Sequence, residues 1–111
     1  MILFDIPETS AISKQMLTEA LTTVIDPELN VNIVDLGLVY AVSLDPGART
    51  IEISMTLSST FCPVGESILL AVKHSLERSF DTFHAEVTLT WDPPWDYSFI
   101  SPEGIRSLRG E

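Results

Sequence analysis

One cysteine, two histidines and six basic residues are all that 111 positions contain, and each scarcity removes a class of function. A single cysteine cannot close an internal disulfide, so Cys62 is an inert buried thiol, a reactive one, or a bond to another chain. Six basic side chains against 16 acidic ones leave a formal net charge of -10. Such a field repels phosphate backbones and anionic lipid, which argues against nucleic acid and membrane partners. No apolar run approaches the ~20 residues of a membrane span. The opening MILFDIPETS lacks the basic and apolar regions of a secretory signal, so the chain reads as cytoplasmic. Internal repeats, low-complexity tracts and linkers are also missing. What is present is a 45% hydrophobic content, enough for one core, and residues 1–111 read as one domain.

The elements follow from spacing. Ser13 suits an N-cap, with Ile12 and Leu17 placed as a hydrophobic staple. Met16, Leu17, Ala20, Leu21, Val24 and Ile25 recur at helical spacing, and Pro27 should stop that helix at Asp26. Residues 38–44 are β-prone, DPGAR at 45–49 is a turn signal, and Ile51, Ile53, Met55 and Leu57 alternate along 50–57. These two strands predict a hairpin. Val64, Ile68, Val72, Leu76 and Phe80 recur every four residues, so 63–80 reads as a second core-facing helix. A third strand is expected at 85–91, with Val87, Leu89 and Trp91 on its apolar face. Ser101, Pro102 and Glu103 can cap a short terminal helix.

The order α-β-β-α-β predicts an α/β (α+β) two-layer domain with a three-stranded mixed sheet. The first two strands pair antiparallel, and a right-handed crossover leaves the second and third parallel. Chain direction then brings three loops to one edge: IVDLG at 33–37, the stretch around Cys62, and WDPPWD at 91–96. DPELN at 26–30 leads directly into IVDLG. Ligands usually sit at the carboxyl ends of parallel strands, which makes this edge the candidate site.

Pro63 suits the first helical position, which makes Cys62 the N-cap, and a thiolate there would meet free backbone N–H groups and the positive helix end. Gly65 leaves the first turn uncluttered. Glu66, Asp35, Asp92 and the overall acidity oppose a second negative charge, and the balance stays open. A cysteine hydrolase needs a base within hydrogen-bond reach. His74 lies 12 residues further along the same helix, or ~18 Å away at the helical rise. His84 precedes the third strand at the far edge, ~23 Å from Trp91 at the strand rise. A Cys–His dyad within one chain is therefore disfavoured.

Asp26, Glu28 and Asp35, joined by Asp92 and Asp96, have the chemistry of a hard-cation site. The simpler reading is that Asp26 and Asp92, each before a proline, fix turns, while Asp35 caps the loop that Gly37 completes. Trp91, on the apolar strand face, is expected to be structural; Trp95 is the more open candidate for a docking surface.

DPELNVNIVDLGLVY at 26–40, MTLSSTFCPVGE at 55–66 and WDPPWDYSFIS at 91–101 together resemble the metal-sulfur cluster biosynthesis family. This is also called the domain of unknown function 59 family, and includes SufT-like and PaaD-like proteins. The resemblance implies a small α/β domain that assists assembly or delivery of iron–sulfur clusters to client proteins, without turnover chemistry. The family's cysteine maps onto Cys62, and its DPE and DLG motifs onto Asp26, Pro27, Glu28, Asp35, Leu36 and Gly37. Thr60–Phe61 stands where family members often carry a small turn. PaaD-like members typically add a cysteine-rich tail; this chain ends SPEGIRSLRGE, so the SufT-like kind is nearer.

A conventional cluster takes four thiolates, and one chain has one. A homodimer would supply two, leaving partners, a small thiol or oxygen ligands to complete the site. The resemblance therefore leads to the expectation that Cys62 holds iron or a cluster only transiently, or engages a partner's thiol or cluster during transfer. Assembly proteins and client apoproteins are the expected partners, docked by the edge loops around Asp26, Glu28, Asp35, Gly37, Pro63, Glu66, Trp91, Asp92 and Trp95. The alternatives are a pure adaptor, a PaaD-like accessory subunit of an oxygenase, and a thiol enzyme that borrows a histidine from a second subunit.

Overall fold

The structure, a computed structural model, describes residues 2–59 and 65–110. The elements run β1 (Leu3–Asp5), α1 (Lys14–Thr22), β2 (Ile25–Asp26), β3 (Val31–Asn32), β4 (Val39–Asp45), β5 (Thr50–Met55), α2 (Gly65–Ser79), β6 (His84–Leu89) and α3 (Pro102–Leu108), with a short 3₁₀ turn at Tyr97–Phe99 before α3. The α/β class is as expected, but the main sheet has four strands in the order β1-β4-β5-β6. The added strand β1 pairs parallel to β4, Leu3 opposite Ala41. Three residues are too few for periodicity to declare a strand, which is why LFD did not read as one. β2 and β3 form a separate two-stranded ribbon.

The hairpin β4–β5 is antiparallel and β5–β6 is parallel, as the crossover argument required. At the hairpin turn the Asp45 carboxylate accepts from the Ala48 N–H at 3.1 Å, and Arg49 takes the positive φ of 53°. Both helices lie against one sheet face. Leu17 and Leu21 of α1, Val72 and Leu76 of α2, and Val42, Ile51, Ile53 and Met55 of the sheet are almost fully enclosed in one apolar cluster. Burying side chains of this size supplies the main drive for the two layers to close. The helices are also bonded to each other: the Ser75 hydroxyl donates to the Ala20 carbonyl at 2.8 Å, and lies 3.0 Å from the Thr23 hydroxyl. The opposite sheet face carries Ala41, Ser43, Glu52, Ser54, Glu86 and Thr88, all partly or fully exposed. It stays uncovered because small polar and charged side chains have little to gain from burial.

Helix α1 starts at its expected cap, the Ser13 hydroxyl accepting from the Met16 N–H at 3.1 Å. It ends earlier than Pro27 implied, with Thr23 as C-cap. The chain needs Val24 and Ile25 extended, because Ile33 N–H bonds to the Val24 carbonyl and β2 must pair with β3. Ile25, expected in the core, is consequently exposed; Met16, also expected there but set in the first turn of α1, is exposed as well. α2 spans Gly65–Ser79, and the expected start at Pro63 with Cys62 as cap lies outside the described residues. α3 forms as expected: Pro102 opens it, and the Ser101 hydroxyl accepts from the Gly104 N–H at 3.1 Å. No helix among the described residues is long and apolar enough to cross a membrane.

Candidate functional site

The three strand ends meet as chain direction predicted. Val39 at the start of β4 stands opposite Met55 at the end of β5, and Met55 opposite Leu89 at the end of β6. The row continues past the strands, since Thr56 N–H donates to the Leu38 carbonyl and Thr90 N–H to the Met55 carbonyl, both at 2.8 Å. The segment after β5 and the start of α2 flank Thr60, Phe61, Cys62, Pro63 and Val64 in sequence; those five residues lie outside the described part of the chain.

The DPELN turn is built by Asp26. Its carboxylate is 1% exposed and accepts from the Glu28 N–H at 2.8 Å and the Leu29 N–H at 3.2 Å. Asn30 then takes a positive φ of 58°, a conformation asparagine tolerates better than most residues, and its N–H closes onto the Asp26 carbonyl. Asp26 is thus a turn-builder facing inward and is withdrawn from any partner, whereas Glu28 on the same turn is exposed. The two carboxylates named together by the motif have separate tasks.

Asp35 is the hub of the neighbouring loop. One carboxylate oxygen accepts from Asn32 Nδ2 at 2.8 Å and the other from the Ser101 hydroxyl at 3.0 Å. Its N–H donates to Asn32 Oδ1 at 2.9 Å, and its carbonyl accepts from the Ser101 N–H at 2.8 Å. The capping expected of Asp35 falls instead to Asn32, whose Oδ1 accepts the Asp35 N–H, while Asp35 bonds the loop to Ser101 at the start of the terminal helix α3.

The same loop is held at two further points by the segment after β6. Trp95 Nε1–H donates to the Leu36 carbonyl at 2.7 Å, and its ring lies 5.2 Å from that of Tyr97. Phe99 lies directly on Gly37, where φ is 74° and a Cβ would come within 2.7 Å of Phe99 Cβ. Glycine is required there twice over, by backbone conformation and by space. A register shift between Val39 and Ala41 frees Tyr40 from strict alternation. Its hydroxyl donates to the Pro93 carbonyl at 2.9 Å, and its ring meets Phe99 edge-on at 6.1 Å. Burial raises the Tyr40 phenol above its ordinary value of 10.0, with the Thr56 hydroxyl opposing in part. Tyr40 therefore stays a neutral donor at physiological pH.

The two tryptophans exchange the parts expected of them. β6 ends at Leu89, so Trp91 lies beyond the sheet and is 42% exposed. Trp95 is the structural one, partly buried and bonded to Leu36. Alternation along a strand predicts a face only while the strand lasts. Asp92 is exposed beside Trp91 and, with Gly37, Tyr40, Pro93 and Phe99, borders an open groove of about 430 Å³. Asp96 caps the 3₁₀ turn, and its carboxylate is held below the ordinary range by the Ser98 hydroxyl and the Ser98 N–H. Glu66 is exposed on the first turn of α2. Among the described residues no three histidines, cysteines or carboxylates are grouped so as to hold a metal ion. His74 and His84 are both exposed, and His84 Nδ1 lies 3.0 Å from Glu77 Oε2, away from the loop cluster. Nothing local in the sequence marks Tyr40 or Asn32, and Ser101 is legible there as a helix cap but not as the partner of Asp35.

A two-layer α/β domain whose strand ends gather a DLG loop and a Trp-Pro segment defines a small scaffold presenting loops at one edge. The chain belongs to the family described as iron-sulfur cluster assembly protein, whose pattern matches residues 14–89. It is 44% identical over 82 residues to the Fe-S protein maturation auxiliary factor YitW of Bacillus subtilis, covering 74% of this chain and 79% of that one. It is also 44% identical over 79 residues to the Fe-S protein maturation auxiliary factor SufT of Staphylococcus aureus, covering 70% of this chain and 88% of that one. Among solved structures it resembles a domain of unknown function 59 protein from Bacillus anthracis, with a TM-score of 0.81 and 36% identity over 88% of this chain and 92% of that one. Its relatives are thus maturation auxiliary factors, and the SufT-like assignment stands.

Proposed function

We propose that this protein is a cytoplasmic accessory factor for iron–sulfur cluster maturation, which assists delivery of iron or a cluster to client apoproteins without catalysing a reaction of its own. Its family and the names of its relatives support that reading. The structural observation that supports it is the bonding of the DLG loop to the 91–96 segment, Trp95 to the Leu36 carbonyl, at the edge where β5 ends and beyond which the only cysteine follows in sequence.

In this reading Cys62 supplies one thiolate to iron or a cluster in passage, and the remaining ligands come from the donor or the client. Glu28, Glu66, Trp91 and Asp92 are the exposed contacts for those partners, with Pro63 beside the thiol in sequence. Asp35, Gly37 and Trp95 act indirectly, by holding the loops that present them. A transfer site gains from binding its cargo incompletely, because a fully saturated metal would not leave.

Anaerobic reconstitution with iron and sulfide, followed by absorption and Mössbauer spectra of the wild type and Cys62→Ser, tests the ligand role. Uptake by the wild type and its loss in the variant is the expected result. Equal uptake by both refutes it. The adaptor reading is then favoured if partner pull-downs tolerate Cys62→Ser but fail on Trp91→Ala or Asp92→Ala.

A further inference from the structure

The free lateral edge of the sheet, strand β6, is only half protected. β6 pairs with β5 on one side and, among the described residues, with no strand on the other. The His84 N–H donates to the Arg49 carbonyl and the Thr90 N–H to the Met55 carbonyl, so the even-numbered residues of β6 turn their backbone groups towards β5. Ala85, Val87 and Leu89 therefore point theirs outward. At Ala85 both groups are satisfied by side chains of α2: the N–H donates to Glu77 Oε2 at 3.0 Å, and the carbonyl accepts from Lys73 Nζ at 2.8 Å. Lys73 and Glu77 are themselves paired at 2.9 Å. At Val87 and Leu89, among the described residues, no group takes those positions.

An apolar groove of about 540 Å³ lies between β6 and α2, bordered on the strand side by His84 to Val87 so that it meets the open stretch at Val87, with Leu69 and Leu70 on its helix side. Leu70 is 53% exposed and Leu89 37%. Unpaired strand groups beside an apolar trough are the two requirements for strand addition, in which main-chain bonds give affinity and alternate side chains find pockets. An edge left open in this way otherwise invites aggregation, and the Lys73–Glu77 clip covers only its first step.

Charge decides between occupants. Lys73 and His84 both face Glu77, whereas Glu66 and Glu86, which also border the groove, have no ion-pair partner among the described residues. A second copy of the chain paired edge to edge would bring together two bodies that each carry a net charge of -10. We propose that the β6 edge between Val87 and Leu89 docks an extended segment of a partner protein in which apolar side chains alternate with lysine or arginine. The apolar side chains enter the Leu69–Leu70 trough on the helix side, and the basic ones, on the opposite face of the added strand, meet Glu86. The clip at Ala85 stops pairing at that end and so sets the register. This surface is lateral to the loop cluster, and the proposal stands whether or not Cys62 binds metal.

The test uses a fluorescein-labelled peptide of alternating valine and lysine, about eight residues long so that at the strand rise it overruns the Val87–Leu89 stretch, and a control with glutamate in place of lysine. Anisotropy titrations should show saturable binding of the lysine peptide and at least tenfold weaker binding of the glutamate peptide. Amide exchange should show the Val87 and Leu89 N–H groups fast in the free chain and slowed at saturation. Val87→Pro removes one outward donor without touching the β5 ladder, and should weaken binding at least tenfold. Glu86→Lys, exposed and outside the core, should weaken it severalfold and keeps the test valid if the proline variant misfolds. Failure of the lysine peptide to bind, binding without protection of Val87 and Leu89, or equal binding of both peptides each overturns the proposal. So does a concentration-dependent dimer in sedimentation velocity that Val87→Pro dissolves, because a second copy would then be the occupant.

Discussion

The Asp35 carboxylate accepts a hydrogen bond from the Ser101 hydroxyl at 3.0 Å, joining two residues 66 positions apart. That hydroxyl in turn accepts from the Gly104 N–H, so the anchor of the DLG loop and the cap of α3 are one connected unit. Bonds to a charged acceptor are worth more than neutral ones, and the members of such a chain support each other.

Asp35→Asn keeps the shape but replaces one acceptor with an N–H pair that confronts Asn32 or Ser101. A loss of about 1–2 kcal/mol in chemical denaturation is expected. Ser101→Ala removes the cap as well and should cost about as much. The double variant should lose about 1 kcal/mol less than the sum of the two, since each single change already breaks the shared bond. Strict additivity would mean that the two residues act independently.

Trp91 and Trp95 should be distinguishable by fluorescence. Trp95→Phe leaves the exposed Trp91 as the only emitter, and its emission should be red-shifted and readily quenched by acrylamide. Trp91→Phe leaves the partly buried indole bonded to Leu36, with bluer and less quenchable emission. Stability should fall by about 1 kcal/mol in Trp95→Phe for the lost bond. In Trp91→Phe it should change by less than about 0.5 kcal/mol.

Glu77 gives a pH dependence with a definite sign. The Ala85 N–H first, and then Lys73, hold its carboxyl below the ordinary value of 4.5. A depressed folded-state value means that the folded protein binds the proton less readily than the unfolded chain. The stabilisation is therefore present above the ordinary value and is lost as pH falls through the folded one. Glu77→Gln cannot titrate and should be less stable than the wild type at pH 7 by about 1 kcal/mol, a figure reduced for partial exposure. Denaturant titrations at decreasing pH should show the gap closing on the acid side of 4.5. A gap that persists unchanged would assign the effect to shape.

The parts of the fold legible in the sequence were those written in local periodicity: the hairpin, the face of α2 formed by Ile68, Val72 and Leu76, and the caps at Ser13 and Ser101. Connection handedness then brought the start of β4 and the ends of β5 and β6 to one edge. What escaped was decided at a distance. β1 is a strand because β4 lies beside it, and Ile25 leaves the helical pattern because Val31 and Asn32 pair with its stretch. The roles of Trp91 and Trp95 depended on where β6 stops, which alternation does not encode. At the candidate site, Asp26 and Glu28 are adjacent in the motif yet one is enclosed and the other exposed, a difference made by the turn itself.

The family pattern ends at residue 89, yet the loop within it that carries Asp35 and Gly37 is held from outside, by Trp95, Phe99 and Ser101. A chain cut at that boundary would strand the Leu36 carbonyl and one oxygen of Asp35 without their donors. The stretch that the family pattern matches is thus smaller than the hydrogen-bonded unit that holds its loop in place. In this protein, the residues that follow it brace a loop laid down far earlier in the chain.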